Sequence, residues 1–591
     1  MTVDTVITAT AESEPNPDKE DGGKPRVHIL RYALYCSSII IGAGILTLPV
    51  LVAQIGLVPA VVLTLILGLS LMGIYVRIAR SIHDYVHVQV EESYEQGARI
   101  LQEAKISRAV ISEFADHVMR EEARRKGIGL LDEICAWLGF GLSGRVAIVV
   151  GLFAYVVPAC IGYVTVGGKT LSAIASLAQE EGFAPVWPAV VAVLAMLCSL
   201  LMTRLLPYFT LRATIAKILQ MSASWIAGVW VLMLAPLPSW VAIMLFAAGT
   251  VGVIWRPSGA EVESASGTLS AEHRVGTFIA SFELIVLAAT AGLAVFIVVQ
   301  HRRLIMPALV APGLDLHGAA TACGVLLFAY TGTGIFNLIR YPHLFRTDGK
   351  RSALERVVGW GAVIPTIAYL GWMVAVALCV SATDLLAVDR ERSYPTIPLA
   401  QTIARLDGTD WAVWVVAAGL FVALLAVTGA CMGFSESLAD RIARIGNRAV
   451  RHIPTTQAPS SLATRIAQVG VLLCATAAAT ALAVLPSNLQ FSGLLAVAGA
   501  AGGGMLLLEL PFFIPTRGRR HGRKWEISLA TVMAIILVAI TWISNPPNLG
   551  HDPLNATIGI VILAIITIFI IAVAALIVGE PREGVSKDSS R

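Results

Sequence analysis

Residues 37–49 read Ser37-Ser38-Ile39-Ile40-Ile41-Gly42-Ala43-Gly44-Ile45-Leu46-Thr47-Leu48-Pro49. The run is apolar enough for a membrane helix, yet two glycines and a proline fall within its last eight residues. Glycine costs about 1 kcal/mol against alanine in a helix, and proline removes a donor and clashes with the preceding turn. The stretch therefore predicts a broken helix. In lipid, every backbone group freed by a break must find a partner, and a ligand is one such partner.

A second apolar run carries the same kind of interruption: Phe328-Ala329-Tyr330-Thr331-Gly332-Thr333-Gly334-Ile335-Phe336-Asn337. Paired glycine-interrupted helices of opposite sense are the pattern of an inverted-repeat membrane protein with a site near the bilayer midplane. The competing reading is close helix packing through small residues. Two breaks, five spans apart once an added pair is discounted, favour the site.

The rest of the chain sets these runs in a membrane. It has 591 residues, 56% hydrophobic and 14% charged, with a mean hydropathy of +0.76. Soluble domains are roughly 45–50% apolar and about 25% charged. A soluble enzyme, a DNA-binding protein and a disordered scaffold are all excluded by that balance. A spanning helix needs roughly 20 apolar residues. Runs of that kind fall near 31–56, 58–79, 146–177, 187–203, 212–235, 239–255, 276–299, 318–339, 357–380, 411–435, 464–485, 488–514, 527–544 and 555–578. They are continuous rather than alternating, so a barrel is excluded. The expected fold is an all-α polytopic membrane protein of about fourteen transmembrane helices.

Basic residues orient it. Connections 340–356, 436–463 and 515–526 are rich in Arg and Lys and are read as cytoplasmic. Connection 381–410 carries Asp384, Asp389, Glu391, Asp407 and Asp410 and is read as external. Both termini then lie in the cytoplasm, and Arg302–Arg303 is the one misfit, placed outside. The expected organisation is a disordered tail at 1–29 and a first repeat over 30–235, with a cytoplasmic helical insertion at 81–145. An added helix pair at 239–299, a second repeat over 317–515, accessory helices at 526–578 and a tail at 579–591 follow. Segment 81–145 mixes Glu91, Glu92, Glu95 and Glu103 with Arg99, Lys105 and Arg108, and reads as amphipathic helices under the bundle or as a partner-binding element.

Other chemistry is thinly represented. The eight cysteines include no CxxC pair, no GxxxxGK[ST] loop exists, and the eleven histidines all fall in loops, tails or span ends. No enzyme, no metal site, no cofactor and no nucleic-acid partner is expected. Among intramembrane ionisable residues, Lys169 and Lys217 suit snorkelling to an interface, whereas Glu283 and Glu509 lie deeper and suit a buried pair or a proton relay. At the breaks, Gly42, Ala43 and Gly44 would offer backbone N–H groups to a carboxylate at a half-helix N-terminus. The break at Thr331, Gly332, Thr333 and Gly334 would offer carbonyl oxygens to an ammonium group, with Phe328 and Tyr330 closing over the ligand. An anion end and a cation end in a dry pocket describe a zwitterionic amino acid.

The run Ile41–Pro49 resembles the first-helix signature of the amino acid/auxin permeases and of the hydroxy- and aromatic-amino-acid permeases, members of the amino acid–polyamine–organocation superfamily. Further stretches resemble that family in the same order: Ser93–Ala98, Tyr163–Gly168, Phe328–Tyr341, Gly361–Pro365, Tyr369–Trp372, Gly433–Ser435 and Ala498–Ala500 with Pro511. The aromatic permeases carry a histidine in the sixth-helix break where this chain has Thr331. The resemblance implies a LeuT-type fold, five-plus-five inverted repeats with accessory helices. It implies a secondary active transporter of amino acids in the plasma membrane, working by alternating access. The alternative is an amino acid sensor on the same scaffold, with 81–145 as its output. In sodium-coupled relatives the ion sits between first-helix carbonyls and adjacent eighth-helix hydroxyls. The matching stretch here is Val427-Thr428-Gly429-Ala430, where Thr428 keeps one hydroxyl and Gly429 supplies none. In some proton-coupled relatives a fifth-helix lysine takes the sodium position, and Lys217 is the candidate. A proton is therefore expected ahead of sodium.

Overall fold

The computed structural model describes, short gaps apart, residues 29–103, 141–205, 210–255, 268–331, 352–407, 461–484, 490–503 and 523–544, with isolated residues elsewhere. All regular elements among the described residues are helical. They are α1 (Ile29–Ile41), a 3₁₀ segment (Ala43–Thr47), α2 (Leu48–Ile55), α3 (Leu57–Glu103) and α4 (Gly141–Glu180). There follow α5 (Val186–Leu205), α6 (Thr210–Leu234), α7 (Ser239–Trp255), α8 (Thr268–Gln300) and α9 (Leu316–Tyr330). The second half holds α10 (Ala353–Cys379), α11 (Ala382–Arg390), α12 (Thr396–Asp407), α13 (Ser461–Val484) and α14 (Phe491–Val497). The last continues into a π-helical segment, Ala498–Gly503, before α15 (Arg523–Ser544).

Four of these helices are long and apolar enough to cross a bilayer within Leu57–Arg80, Gly151–Gln179, Ala353–Cys379 and Thr464–Val484. Seven shorter apolar helices accompany them. Spans expected at 411–435 and 555–578 fall mostly outside the described residues, as do both tails and residues 104–140. The chain is an integral membrane protein built from helices. Its outward faces are apolar too: Trp187, Val191, Leu194 and Leu197 on α5 are all exposed, as lipid contact requires.

α9 is the hub. It packs on α1, the 3₁₀ segment, α2, α3, α14, the π segment and α15. α4 flanks it, buried along most of its length, and touches the π segment, α7 and α13. The pair expected as an addition at 239–299 is drawn into the bundle. α7 buries Ala242, Ile243 and Phe246 completely, the Phe246 ring lying over Gly167, where a Cβ would meet it at 2.6 Å. α8 lies along α1 and α10. α5, by contrast, packs chiefly on α6.

α3 is one continuous helix of 47 residues, about 70 Å at the usual rise. That exceeds a hydrocarbon core of roughly 30 Å, so the part beyond Arg80, the start of the segment read as amphipathic, runs on as helix to Glu103. Where α3 leaves Arg80, the guanidinium Nε donates to Glu355 Oε2 at 2.9 Å, tying it to the start of α10. There Ser352 caps the helix by accepting from the Glu355 N–H.

At the other end of the bundle a strap over residues 301–311 crosses the junction of α2 and α3. Leu57 N donates to the Ala308 carbonyl and Val58 N to that of Leu309, while Ala311 N donates to Ile55 and Ile305 N to Leu378. Gly56 permits this crossing: its φ is +89°, and a Cβ there would lie 2.5 Å from Ala311 N and Val310 Cα. Arg302–Arg303 sits on this strap. Arg302, at φ 54°, closes α8, with its N–H on Val299 and that of Arg303 on Val298. Two cations at a helix C-terminus favour the helix dipole, a local reason for basic residues at an end where the charge rule does not expect them.

Candidate functional site

The first span breaks where its glycines predict. α1 stops at Ile41, the chain tightens into the 3₁₀ segment, and α2 starts again with Pro49 in its first turn. Thr47 Oγ1 turns back onto the Gly44 carbonyl at 2.8 Å. The second break is equally definite on its N-terminal side: α9 ends at Tyr330, and Thr331 adopts φ −74°, ψ 103°. Gly42, Gly332, Thr333 and Gly334 lie outside the described residues.

The two breaks meet. A Cβ placed on Gly44 would lie 3.0 Å from Ala329 Cα and 3.2 Å from its Cβ. Gly44 is thus seated on the last turn of α9, between the flanking residues Phe328 and Tyr330. Phe328 is buried, its ring 5.4 Å from Tyr155 and 5.9 Å from Tyr163. Tyr330 turns its side chain the other way. Its hydroxyl donates to Thr366 Oγ1 at 3.0 Å and lies 3.3 Å from the Thr64 carbonyl, and its ring packs edge-on against Tyr369. What Tyr330 presents towards the break is therefore its main chain.

A helix leaves its last carbonyls unpaired, and in a membrane interior each must be satisfied. At the end of α9 every one is accounted for. Thr331 Oγ1 donates to Leu327 O at 2.6 Å, and Thr331 N to Phe328 O at 3.1 Å. Three tyrosine hydroxyls from three other helices take the rest. Tyr369 on α10 donates to Ala329 O at 2.6 Å, Tyr75 on α3 to Tyr330 O, and Tyr155 on α4 to Thr331 O at 2.8 Å. All three tyrosines are buried. A carbonyl has a second lone pair, so this cap leaves each oxygen able to accept once more.

The π segment forms the far wall. Its small residues let it press on main chain: a Cβ on Gly499 would meet Phe328 N at 2.5 Å, and Cβ atoms on Gly502 and Gly503 would collide with the Tyr155 backbone and with Thr331 Oγ1. π-helical turns inside α-helices occur frequently at functional sites. The first span, α9, α4 and the π segment thus converge on Thr331.

The ion-coupling candidates stand on separate helices. Thr428 is fully buried, and its Oγ1 donates to Leu424 O at 2.9 Å within its own helix. Lys217 is on α6, which packs on α4, α5, α7 and α8, and its side chain lies outside the described residues. Among the described residues no group of three His, Cys, Asp or Glu side chains gathers as a metal site. Sequence reasoning missed the tyrosine cap. Its signal was present, since Tyr75, Tyr155 and Tyr369 are phenols inside apolar runs and a buried phenol needs a partner.

These features define a helical integral membrane protein whose broken spans meet inside the bundle. No protein-family model and no curated protein matches the chain. Among solved structures it is similar to a manganese transporter of Eremococcus coleocola, crystallised with an aromatic bis-isothiourea substituted compound. The identity is 11% and the TM-score 0.46, over 95% of this chain and 99% of that one.

Proposed function

We propose that the chain is a secondary active transporter that moves amino acids across the membrane by alternating access on a LeuT-type five-plus-five repeat. The observation that carries this reading is the meeting of the two interrupted spans, Gly44 against Ala329, at the end of α9. The half-helix start at Gly42, Ala43 and Gly44 binds the substrate carboxylate. The carbonyl oxygens at Tyr330 and Thr331, with the main chain at Gly332, Thr333 and Gly334, bind the ammonium group, and Phe328 packs against the aliphatic part. The ordered likeness of the motifs to the amino acid permeases supports the substrate class.

Proton coupling is proposed over sodium, because Thr428 is followed by Gly429 and one hydroxyl is a poor share of the several oxygens a hard cation needs. Lys217 remains the proposed basic partner, and the length of α3 beyond Arg80 is proposed as the place where a cytoplasmic partner docks.

The test is uptake of the twenty amino acids into proteoliposomes under an imposed pH or sodium gradient. Saturable uptake driven by an inward proton gradient is expected. Gly44→Val is expected to abolish it, since a Cβ there already lies 3.0 Å from Ala329 Cα and leaves no room for a branched side chain. No uptake of any amino acid under either gradient, from protein shown to be folded, refutes the substrate class.

A further inference from the structure

We propose that Asp389 is a proton-binding site at the outer closure of the bundle, where its carboxylate holds the ends of α2, α11 and α14 together. The proposal rests on the transporter reading and on α11 facing outside.

Asp389 is only 2% exposed, although it lies in the connection 381–410, outside the spans. Its Oδ1 accepts from the Ser492 N–H at 2.8 Å, in the first turn of α14. Its Oδ2 accepts from Ser492 Oγ at 2.6 Å and from Gln54 Nε2, near the end of α2, at 3.3 Å. Gln54 Nε2 is also 3.3 Å from Ser492 Oγ. One carboxylate thus joins the outer half of the first broken span, the helix leading into the π segment and the connecting helix α11. α2 and α14 are direct continuations of two walls of the candidate site. Any motion that opens the site outward parts these elements and wets Asp389.

The amide of Gln54 is only half satisfied at this junction. Gln54 Oε1 is buried with no hydrogen-bond partner among the described residues, and a buried orphan acceptor is costly. A proton on Asp389 would give the junction an O–H that Ser492 Oγ, 2.6 Å from Oδ2, can accept. The Ser492 hydroxyl donates or accepts, and the Gln54 amide offers a donor at one end and an acceptor at the other. The cluster therefore accommodates either form of the carboxyl. No covalent bond other than O–H changes: the proton comes from outer water and stays on a carboxyl oxygen until the junction opens.

Charge around the group is sparse. α2 and α14 carry none. α11 carries Asp384 and Arg390, Glu391 follows it, and α12 contributes Arg405 and Asp407. Burial pushes the Asp389 carboxyl above its ordinary range, opposed by the Ser492 hydroxyl and N–H, by Arg390 and by Gln54. The sign follows. A group whose affinity for the proton is higher in the closed state takes up a proton on closing. Closure is stabilised below the ordinary carboxylate range, and that stabilisation is lost as pH rises through the raised value.

The experiment is hydrogen exchange on the whole protein in detergent or nanodiscs, without substrate, following peptides over 382–391 and 491–497 from pH 4 to pH 8. After correction for intrinsic exchange, opening in the wild type is expected to rise with pH by up to about tenfold per unit, the limit for one proton. Asp389→Asn keeps the shape and an acceptor for Ser492 N–H and should give a flat profile, closed throughout. Ser492→Ala removes a donor to the charged form and should move the midpoint to higher pH, which decides the matter even if the first variant fails to fold. A wild-type profile that is flat, or that persists in Asp389→Asn, or a midpoint unmoved in Ser492→Ala, overturns the proposal. Because no substrate enters this measurement, a pH-linked junction in a protein without uptake would sink the transporter reading alone.

Discussion

Replacing Tyr155 by Phe removes one oxygen and nothing else from the end of α9. The hydroxyl lost donates to Thr331 O at 2.8 Å, in a place where both residues are buried. A buried acceptor left alone costs about 1–3 kcal/mol. Interhelical hydrogen bonds in membrane proteins average only about 0.6 kcal/mol in mutant cycles, because other partners are found. The complete pairing of the neighbouring carbonyls argues for the upper range: Leu327, Phe328, Ala329 and Tyr330 already hold their own donors. A loss of about 1–3 kcal/mol is therefore expected, read as the shift in an SDS-titrated unfolding curve of protein in mild detergent. Added amino acid should restore part of it, since its ammonium group would take the vacated lone pair. A loss below about 0.5 kcal/mol would refute the reasoning that this hydroxyl caps the break. A full loss without rescue by any amino acid would leave the cap and refute the ammonium site.

Gly56→Ala should cost roughly 2–5 kcal/mol, combining a left-handed backbone with overpacking against the 301–311 strap, and should speed exchange at Leu57 and Val58. Arg80→Ala should destabilise more than the double variant Arg80→Met with Glu355→Gln, because the single change leaves the largely buried Glu355 carboxylate without its guanidinium. Unfolding curves of the three proteins make that comparison. Thr428→Val, which removes only a bond to the residue's own helix, should change stability by less than about 1 kcal/mol. Loss of uptake in that variant, with stability kept, would show that the hydroxyl serves ion coupling.

Much of this architecture is legible in the chain because lipid imposes one rule on every span. Helix α7 coincides with its apolar run at 239–255, and the interruption of the first span appears as a 3₁₀ segment over Ala43–Thr47 because glycine and proline act locally. What is not legible is where a helix goes once formed. The 239–299 pair looks like an addition by sequence position, yet it carries Phe246 and Ile243 into the core while the equally spanning-like apolar run of α5 stays at the rim. Both are apolar runs, and in a bilayer apolarity does not distinguish a face that meets lipid from one that meets protein.

The same limit governs the site. A break is written in two glycines, but its repair comes from afar: the hydroxyls that close the end of α9 stand at positions 75, 155 and 369, on three helices with no shared motif. Asp389 shows the converse. In the sequence it is one acid among five in a connection and informs only the sidedness of the loop. Folded, it is buried and holds together Gln54 and Ser492, which are 438 residues apart. The chemistry of the candidate site thus resides in groups each of which is ordinary alone. A phenol, an amide and a carboxylate acquire roles because interrupted helices present unpaired main chain, and neighbouring helices are obliged to answer it.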